Sequence, residues 1–147
     1  MKITKASIEH INELVTLFDA YRIFYEQTSD LEKAKRFLKD RLEQNESVIY
    51  IAFINNKAVG FTQLYYLFSS VSMERMYLLN DLYVDANHRN KGVGEALIDA
   101  AKNNCKDNNF KGLAIQTAFN NPAQNLYKRL GFKKDTDLHF FWTNTNN

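Results

Sequence analysis

The stretch from Asn80 to Gly94 constrains this chain more than any other: an apolar strand runs out into a polar turn, and a helix then opens on Gly92 and Gly94. Backbone N–H groups at a helix start, beside glycines that let a ligand come close, make an anion site, and Arg89 and Lys91 add charge to it. A phosphate or diphosphate suits that loop; a plain helix start with two surface cations is the competing reading. With five Gly and one Pro among 147 residues, each placement carries information. Two nucleotide motifs are excluded. Leu97 stands three residues after Gly94, where a dinucleotide fingerprint needs glycine, and no Gly-Lys-Ser/Thr ending makes a P-loop.

Hydrophobic period places this segment in a larger order. Met1 to Lys5 reads as a short strand. Ile8, Ile11, Val15, Phe18 and Arg22 form a helical stripe that Leu14, Leu17 and Tyr21 widen, with Ser7 placed to cap it and fraying expected near Tyr25. A second helix is expected to start at Ser29, where Glu32 completes a capping box, and to stop near Asn45. Val48 to Ile54 and Ala58 to Tyr66 are β-rich and flank Asn55-Asn56, a hairpin signature. Phe68 to Glu74 reads as a loop, Arg75 to Val84 as a long strand, and Val93 to about Lys106 as a helix with a small-residue face. Leu113 to Ala118 is a further strand. Pro122 and Gly131 bracket a short helix, and Leu138 to Thr143 makes a last strand before a tail expected to fray. The result is one α+β layer domain over residues 1–147 with a mixed sheet.

Nineteen basic and seventeen acidic residues leave almost no long-range field, so nucleic acid and anionic lipid are poor candidate partners and any anion must be held locally. The longest apolar run, Val48 to Ile54, is far short of the ~20 residues that span a bilayer. The N-terminus lacks a signal-peptide core, which gives the expectation of a cytoplasmic protein. Cys105 has no disulfide partner, and the three His show no metal-ligand spacing, so no metal is expected.

Read as Arg89, two residues, Gly92, one residue, Gly94, the loop resembles the acyl-CoA diphosphate loop of the GNAT acetyltransferase superfamily, in that family's position between a long strand and a helix. Asn120, Ala123, Leu126, Tyr127, Gly131 and Phe132 are similar in spacing to the family's late segment, and the order of elements from Met1 to Trp142 looks like its fold. Smaller blocks (Tyr21, Arg22, Phe24 and Tyr25; Gly60 to Tyr65; Leu79 to Asp81) resemble a bacterial branch labelled as related to histone or small-amine acetyltransferases. The resemblance implies a mostly antiparallel sheet flanked by helices, with strands four and five splayed to receive the pantetheine arm of acetyl-CoA. It assigns Leu82, Tyr83 and Val84 to the pantetheine by strand addition. The diphosphate falls to Arg89, Asn90, Lys91, Gly92, Val93, Gly94 and Glu95, with Asn120 and Tyr127 as further cofactor contacts.

Acetyl transfer to an amine needs a neutral amine and a protonated leaving thiolate. A primary amine has a pKa near ~10.4, so a base is useful at neutral pH. Asp81, just upstream of the loop, is the candidate for that base through water, and orienting neighbouring backbone or pairing with a cationic substrate is its competing role. Tyr127 is the candidate general acid, since a phenol near pKa ~10 stays protonated at neutral pH and can protonate a thiolate; packing of its ring is the alternative. Tyr21, Phe24, Tyr25, Tyr66 and Phe68, with Asp81 or Glu26, suit a cationic amine, while Arg22 suits a carboxylate. An aromatic set at helical spacing is also ordinary core.

The resemblance implies an acetyl-CoA-dependent N-acetyltransferase acting on a small-molecule (polyamine or amino-acid-like) or peptide amine by direct attack. A non-catalytic acyl-CoA-binding or sensing module is the alternative. A nucleic-acid-binding domain has only His88, Arg89 and Lys91 behind it. A homodimer through the C-terminal strand is a family-level expectation that exposed Phe140, Phe141 or Trp142 would favour.

Overall fold

The structure, a computed structural model, describes residues 1–145. The expected fraying tail reaches Asn146 and Asn147, which lie outside the described residues. The chain forms two compact units, Met1–Gln116 and Thr117–Asn147.

The first unit is a five-stranded sheet in the order β1 (Lys2–Lys5), β2 (Ser47–Ile54), β3 (Lys57–Ser69), β4 (Glu74–Val84) and β5 (Leu113–Ile115). Its pairs are antiparallel except β4 with β5, which is parallel. Asn55 and Asn56 join β2 to β3 with φ of 50° and 63°. Two successive left-handed residues are what a type I′ hairpin turn needs, and Asn tolerates them. The expected loop from Phe68 is shorter than its composition implied: pairing runs on to Ser69 and Glu74.

Alternation along the strands separates two cores. Ile49, Ile51 and Phe61 meet the buried stripe Leu14, Val15, Leu17 and Phe18 of α1 (Ile11–Phe24), together with Ala34 and Leu38 of α2 (Leu31–Glu43). Ala52 and Val59 meet Val93 and Leu97 of α3 (Val93–Asp107). Ile8 falls outside the predicted stripe, because the turn Ile8–His10 is 3₁₀ and the α-helix begins only at Ile11.

The capping box expected at Ser29 does not form. The cap of α2 is Asp30, whose carboxylate accepts the Lys33 N–H at 3.0 Å. Ser29 is used elsewhere: its hydroxyl donates to buried Asp19 at 2.6 Å, and the Asp30 N–H donates to the same carboxylate at 2.9 Å. A buried carboxylate must be satisfied, and these donors move the helix start one residue on.

The second unit carries α4 (Gln124–Arg129). In the turn before it, Asn121 accepts the Ala123 N–H at 2.9 Å across Pro122; the N-cap itself is Ala123. Its exit is a Schellman motif: Gly131, at φ 93°, donates to Lys128, and Phe132 donates to Tyr127 at 3.0 Å. The strand expected at Leu138 to Thr143 is absent; this segment has no regular secondary structure. A strand exists through its pairing, and among the described residues the second unit offers no other strand.

Candidate active site

Within the first unit, the site is organised by an edge that opens in the middle of a strand. β4 and β5 pair only from Tyr77/Leu113 to Leu79/Ile115, after which β4 continues to Val84 with β3 on one side alone. The splay expected of strands four and five is therefore present, with β5 shorter than predicted. A bulge sits where the edge begins. Gln63 faces Asp81 and Leu64 faces Leu79, so Asn80 is an extra residue on β4. Bulges re-aim the strand that carries them. Tyr77 donates its N–H to Gly112 on the β5 side, whereas Asp85 donates to Val59 on the β3 side. The two are eight positions apart, an even step that would keep both N–H groups on one side, so the extra residue has inverted the alternation, and Leu82 and Val84 present their backbone groups to the open edge.

The glycine loop follows directly. Asn90 has φ 59° and Gly92 φ 79°, and Gly92 is the N-cap of α3 without any side chain to cap it. The first bond back to it comes from Ala96 at 3.0 Å, so the amides of Val93 and Gly94 precede the intrahelical ladder. Val93 is buried against Ala52 and Val59 and anchors the helix start to the sheet. Arg89 donates from Nε to the Val84 carbonyl at 3.0 Å and stacks over Phe24 and Tyr83, 5.3 and 5.8 Å from their ring centres. Lys91 donates to the Asn87 carbonyl at 3.3 Å. Before the loop, Asp85 pairs with His88 at 2.8 Å, and this hydrogen bond holds the Asp85 carboxyl below its ordinary range.

The predicted acceptor residues separate into groups. Tyr21, Phe24 and Tyr25 come together with Phe61 and Tyr83 at ring separations of 5.0 to 6.4 Å, and Arg89 completes the cluster. Tyr66 does not join it. Strand alternation turns Tyr66 to the α3 side, where its ring meets Tyr77 and Phe110. Phe68 stacks with Arg75 seven residues beyond Phe61, about 23 Å along the strand. Arg22 donates to the Thr28 carbonyl at 3.0 Å and ties down the α1–α2 loop.

Asp81 is 2% exposed, and both its oxygens accept amide N–H bonds of 2.6 Å, from Gln63 and from Asn80. Burial pushes its carboxyl up from the ordinary range, against the lowering effect of those two bonds. Ser47 donates to Gln63 at 2.8 Å, and Thr62 donates to the Asp81 carbonyl at 2.8 Å. No site role is predicted from sequence for Gln63, Ser47 or Asn80. Gln63 was detectable as a polar residue in an apolar strand, but its partner depends on register.

In the second unit Asn120 is exposed in the turn before α4, and Tyr127 is half-buried with its ring 6.1 Å from Phe132. Tyr127 and Phe132 are the two residues that touch across a Schellman motif, so part of the Leu-Tyr…Gly-Phe spacing is helix-termination chemistry. Burial raises the Cys105 thiol, which leaves it a poor nucleophile. Among the described residues no helix is long and apolar enough to cross a membrane.

An open parallel edge ahead of a glycine-capped helix, on a mixed sheet flanked by helices, defines an acyltransferase-type fold, and residues 11–132 match the model of the Acetyltransferase (GNAT) family. The chain belongs to that family and is an acetyltransferase. It is 46% identical over 145 residues to an uncharacterized N-acetyltransferase of Bacillus subtilis, covering 98% of this chain and 97% of that one. A crystal structure of a probable acetyltransferase superposes with a TM-score of 0.93 at 35% identity, over 100% of this chain and 99% of the other. A predicted acetyltransferase with acetyl-CoA from Clostridium acetobutylicum shares the fold at a TM-score of 0.79 and 18% identity, over 95% and 94% of the two chains.

Proposed function

We propose that the protein moves the acetyl group of acetyl-CoA to a primary amine of a small molecule, polyamine-like or amino-acid-like, or of a peptide. The observation that carries this reading is the open edge Leu82–Val84 running straight into the loop Arg89–Gly94. One end suits an amide-bearing arm added as a strand, and the other suits a diphosphate. The acetyl-CoA named for the Clostridium acetobutylicum relative supports the same donor. The aromatic cluster Tyr21, Phe24, Tyr25 and Tyr83 forms the acceptor side.

The amine lone pair attacks the thioester carbonyl carbon, the nitrogen of the tetrahedral adduct gives up a proton to solvent, the C–S bond breaks, and the thiolate takes a proton from the Tyr127 phenol, which solvent then restores. Direct attack needs no protein nucleophile, in keeping with a buried Cys105. Of the two roles open to Asp81, its burial and two amide bonds favour orienting the strand over acting as base. The exposed Phe140, Phe141 and Trp142 support a homodimer. A cytoplasmic location belongs to the same proposal.

A thiol-release screen of acetyl-CoA against polyamines, amino acids and basic peptides tests the reading. CoA release with one of these classes is expected. Tight CoA binding without release from any of them would leave the non-catalytic binding module. Tyr127→Phe is expected to keep acetyl-CoA affinity and lose ~10²-fold or more in turnover; unchanged steady-state turnover would remove Tyr127 from its role.

A further inference from the structure

A polar chain of three side chains crosses three strands beneath the helices: Ser47 on β2, Gln63 on β3 and Asp81 on β4, with Asn80 at its outer end. Gln63 is fully buried, and Ser47 is 7% exposed. An apolar set would be cheaper to bury at such a place. The chain also has direction. The Ser47 hydroxyl donates to Gln63 Oε1, which turns Nε2 toward the Asp81 carboxylate, and Asn80 Nδ2 donates to the other carboxylate oxygen.

We propose that Gln63 is a positioning residue for the transfer reaction, fixing with Ser47 the Asn80–Asp81 bulge that turns the Leu82 and Val84 backbone groups outward. The inference rests on the reading that this edge receives the pantetheine arm. The bulge is the only irregularity between Tyr77, whose N–H faces β5, and Asp85, whose N–H faces β3. It therefore decides which residues face the open edge. Its second residue, Asp81, is held to β3 by the Gln63 amide and by Thr62 on its carbonyl. Without the Gln63 amide one oxygen of a buried carboxylate loses its donor, and the side chain must rotate or take up a proton. Either change frees the bulge and the backbone beyond it.

The test measures acetyl-CoA Kd by calorimetry alongside the melting temperature, for the wild type and three variants. Gln63→Leu is expected to weaken acetyl-CoA about tenfold, and Ser47→Ala, which only frees the Gln63 amide to turn, about threefold. The double variant Gln63→Glu with Asp81→Asn rebuilds every bond with its polarity moved by one residue. Ser47 donates to Glu, the new Asn amide donates to Glu, and Asn80 donates to the new Asn carbonyl. This swap is expected to restore Kd to within about threefold of wild type. A merely structural Gln63 would lower the melting temperature and leave Kd unmoved. Wild-type Kd in folded Gln63→Leu, or no recovery in a folded swap variant, overturns the inference. Should Gln63→Leu fail to fold, Ser47→Ala and the swap variant decide by the same criteria. A wild-type protein that does not bind acetyl-CoA overturns the donor reading itself, and this inference with it.

Discussion

Gly60 lies where the sheet, the open edge and α3 approach most closely, and replacing it with alanine tests whether that approach is required. A methyl group there would stand 2.9 Å from the Tyr83 carbonyl oxygen, 3.2 Å from Val93 Cγ1 and 3.4 Å from Leu97 Cδ1. The carbonyl is backbone within the β3–β4 ladder, where Phe61 faces Tyr83, so it cannot swing aside as a side chain would. Val93 and Leu97 are 1% and 0% exposed and have no free volume to retreat into. Overpacking of this kind costs about 1–3 kcal/mol. Alanine also restricts the unfolded chain, which returns about 0.4–1 kcal/mol. The net loss of roughly 0–2.6 kcal/mol corresponds to a fall of up to about 10 °C in a domain of this size. Gly112→Ala is the matched control, since no atom lies within 4 Å of its added methyl group and its φ is ordinary. Only the unfolded-state gain applies there, so its melting temperature is expected to hold or rise. Thermal unfolding followed by circular dichroism reads both. Equal melting temperatures for the two variants would refute the packing argument. Because the displaced atoms flank the Leu82–Val84 edge and the start of α3, Gly60→Ala is also expected to weaken acetyl-CoA binding, which calorimetry reads.

Three further outcomes follow from local geometry. Gly92→Ala places a side chain at φ 79° without touching any neighbour, so its cost is conformational, about 1–2 kcal/mol in thermal unfolding, and acetyl-CoA binding should weaken with it. Glu26 ends α1 at φ 63° in the position that Gly131 takes after α4; Glu26→Gly is therefore expected to stabilise the fold by up to about 1 kcal/mol, seen as a higher denaturant midpoint. Asp85 is held below its ordinary range by His88, so its contribution is present above the unfolded carboxylate value and disappears as pH falls through the lowered one. Asp85→Asn should accordingly be less stable than wild type near neutral pH and converge with it in acid; a constant difference down a pH series of melting curves would contradict this.

What the sequence determined by itself was set by neighbours in the chain. The Asn55-Asn56 turn, the glycine start of α3 and the Gly131 stop of α4 each rest on φ preferences or hydrogen bonds spanning a few residues, and the stripe of α1 on apolar spacing within one helix. Those preferences act before any tertiary contact exists. The loop from Arg89 to Gly94 was legible for the same reason, and with it the family. Tertiary structure decided the rest, because strand register joins residues far apart in sequence. No local pattern shows that Gln63 meets Asp81, that an extra Asn80 inverts the alternation of β4, or that Tyr66 turns away from Tyr21. Asp19 took Ser29 from the helix cap it was expected to form, and Leu138 to Thr143, apolar enough to read as a strand, meets no strand among the described residues of its own unit. A side chain's chemistry is written in the sequence; whether it is buried, paired or free to react is fixed by what the fold brings against it.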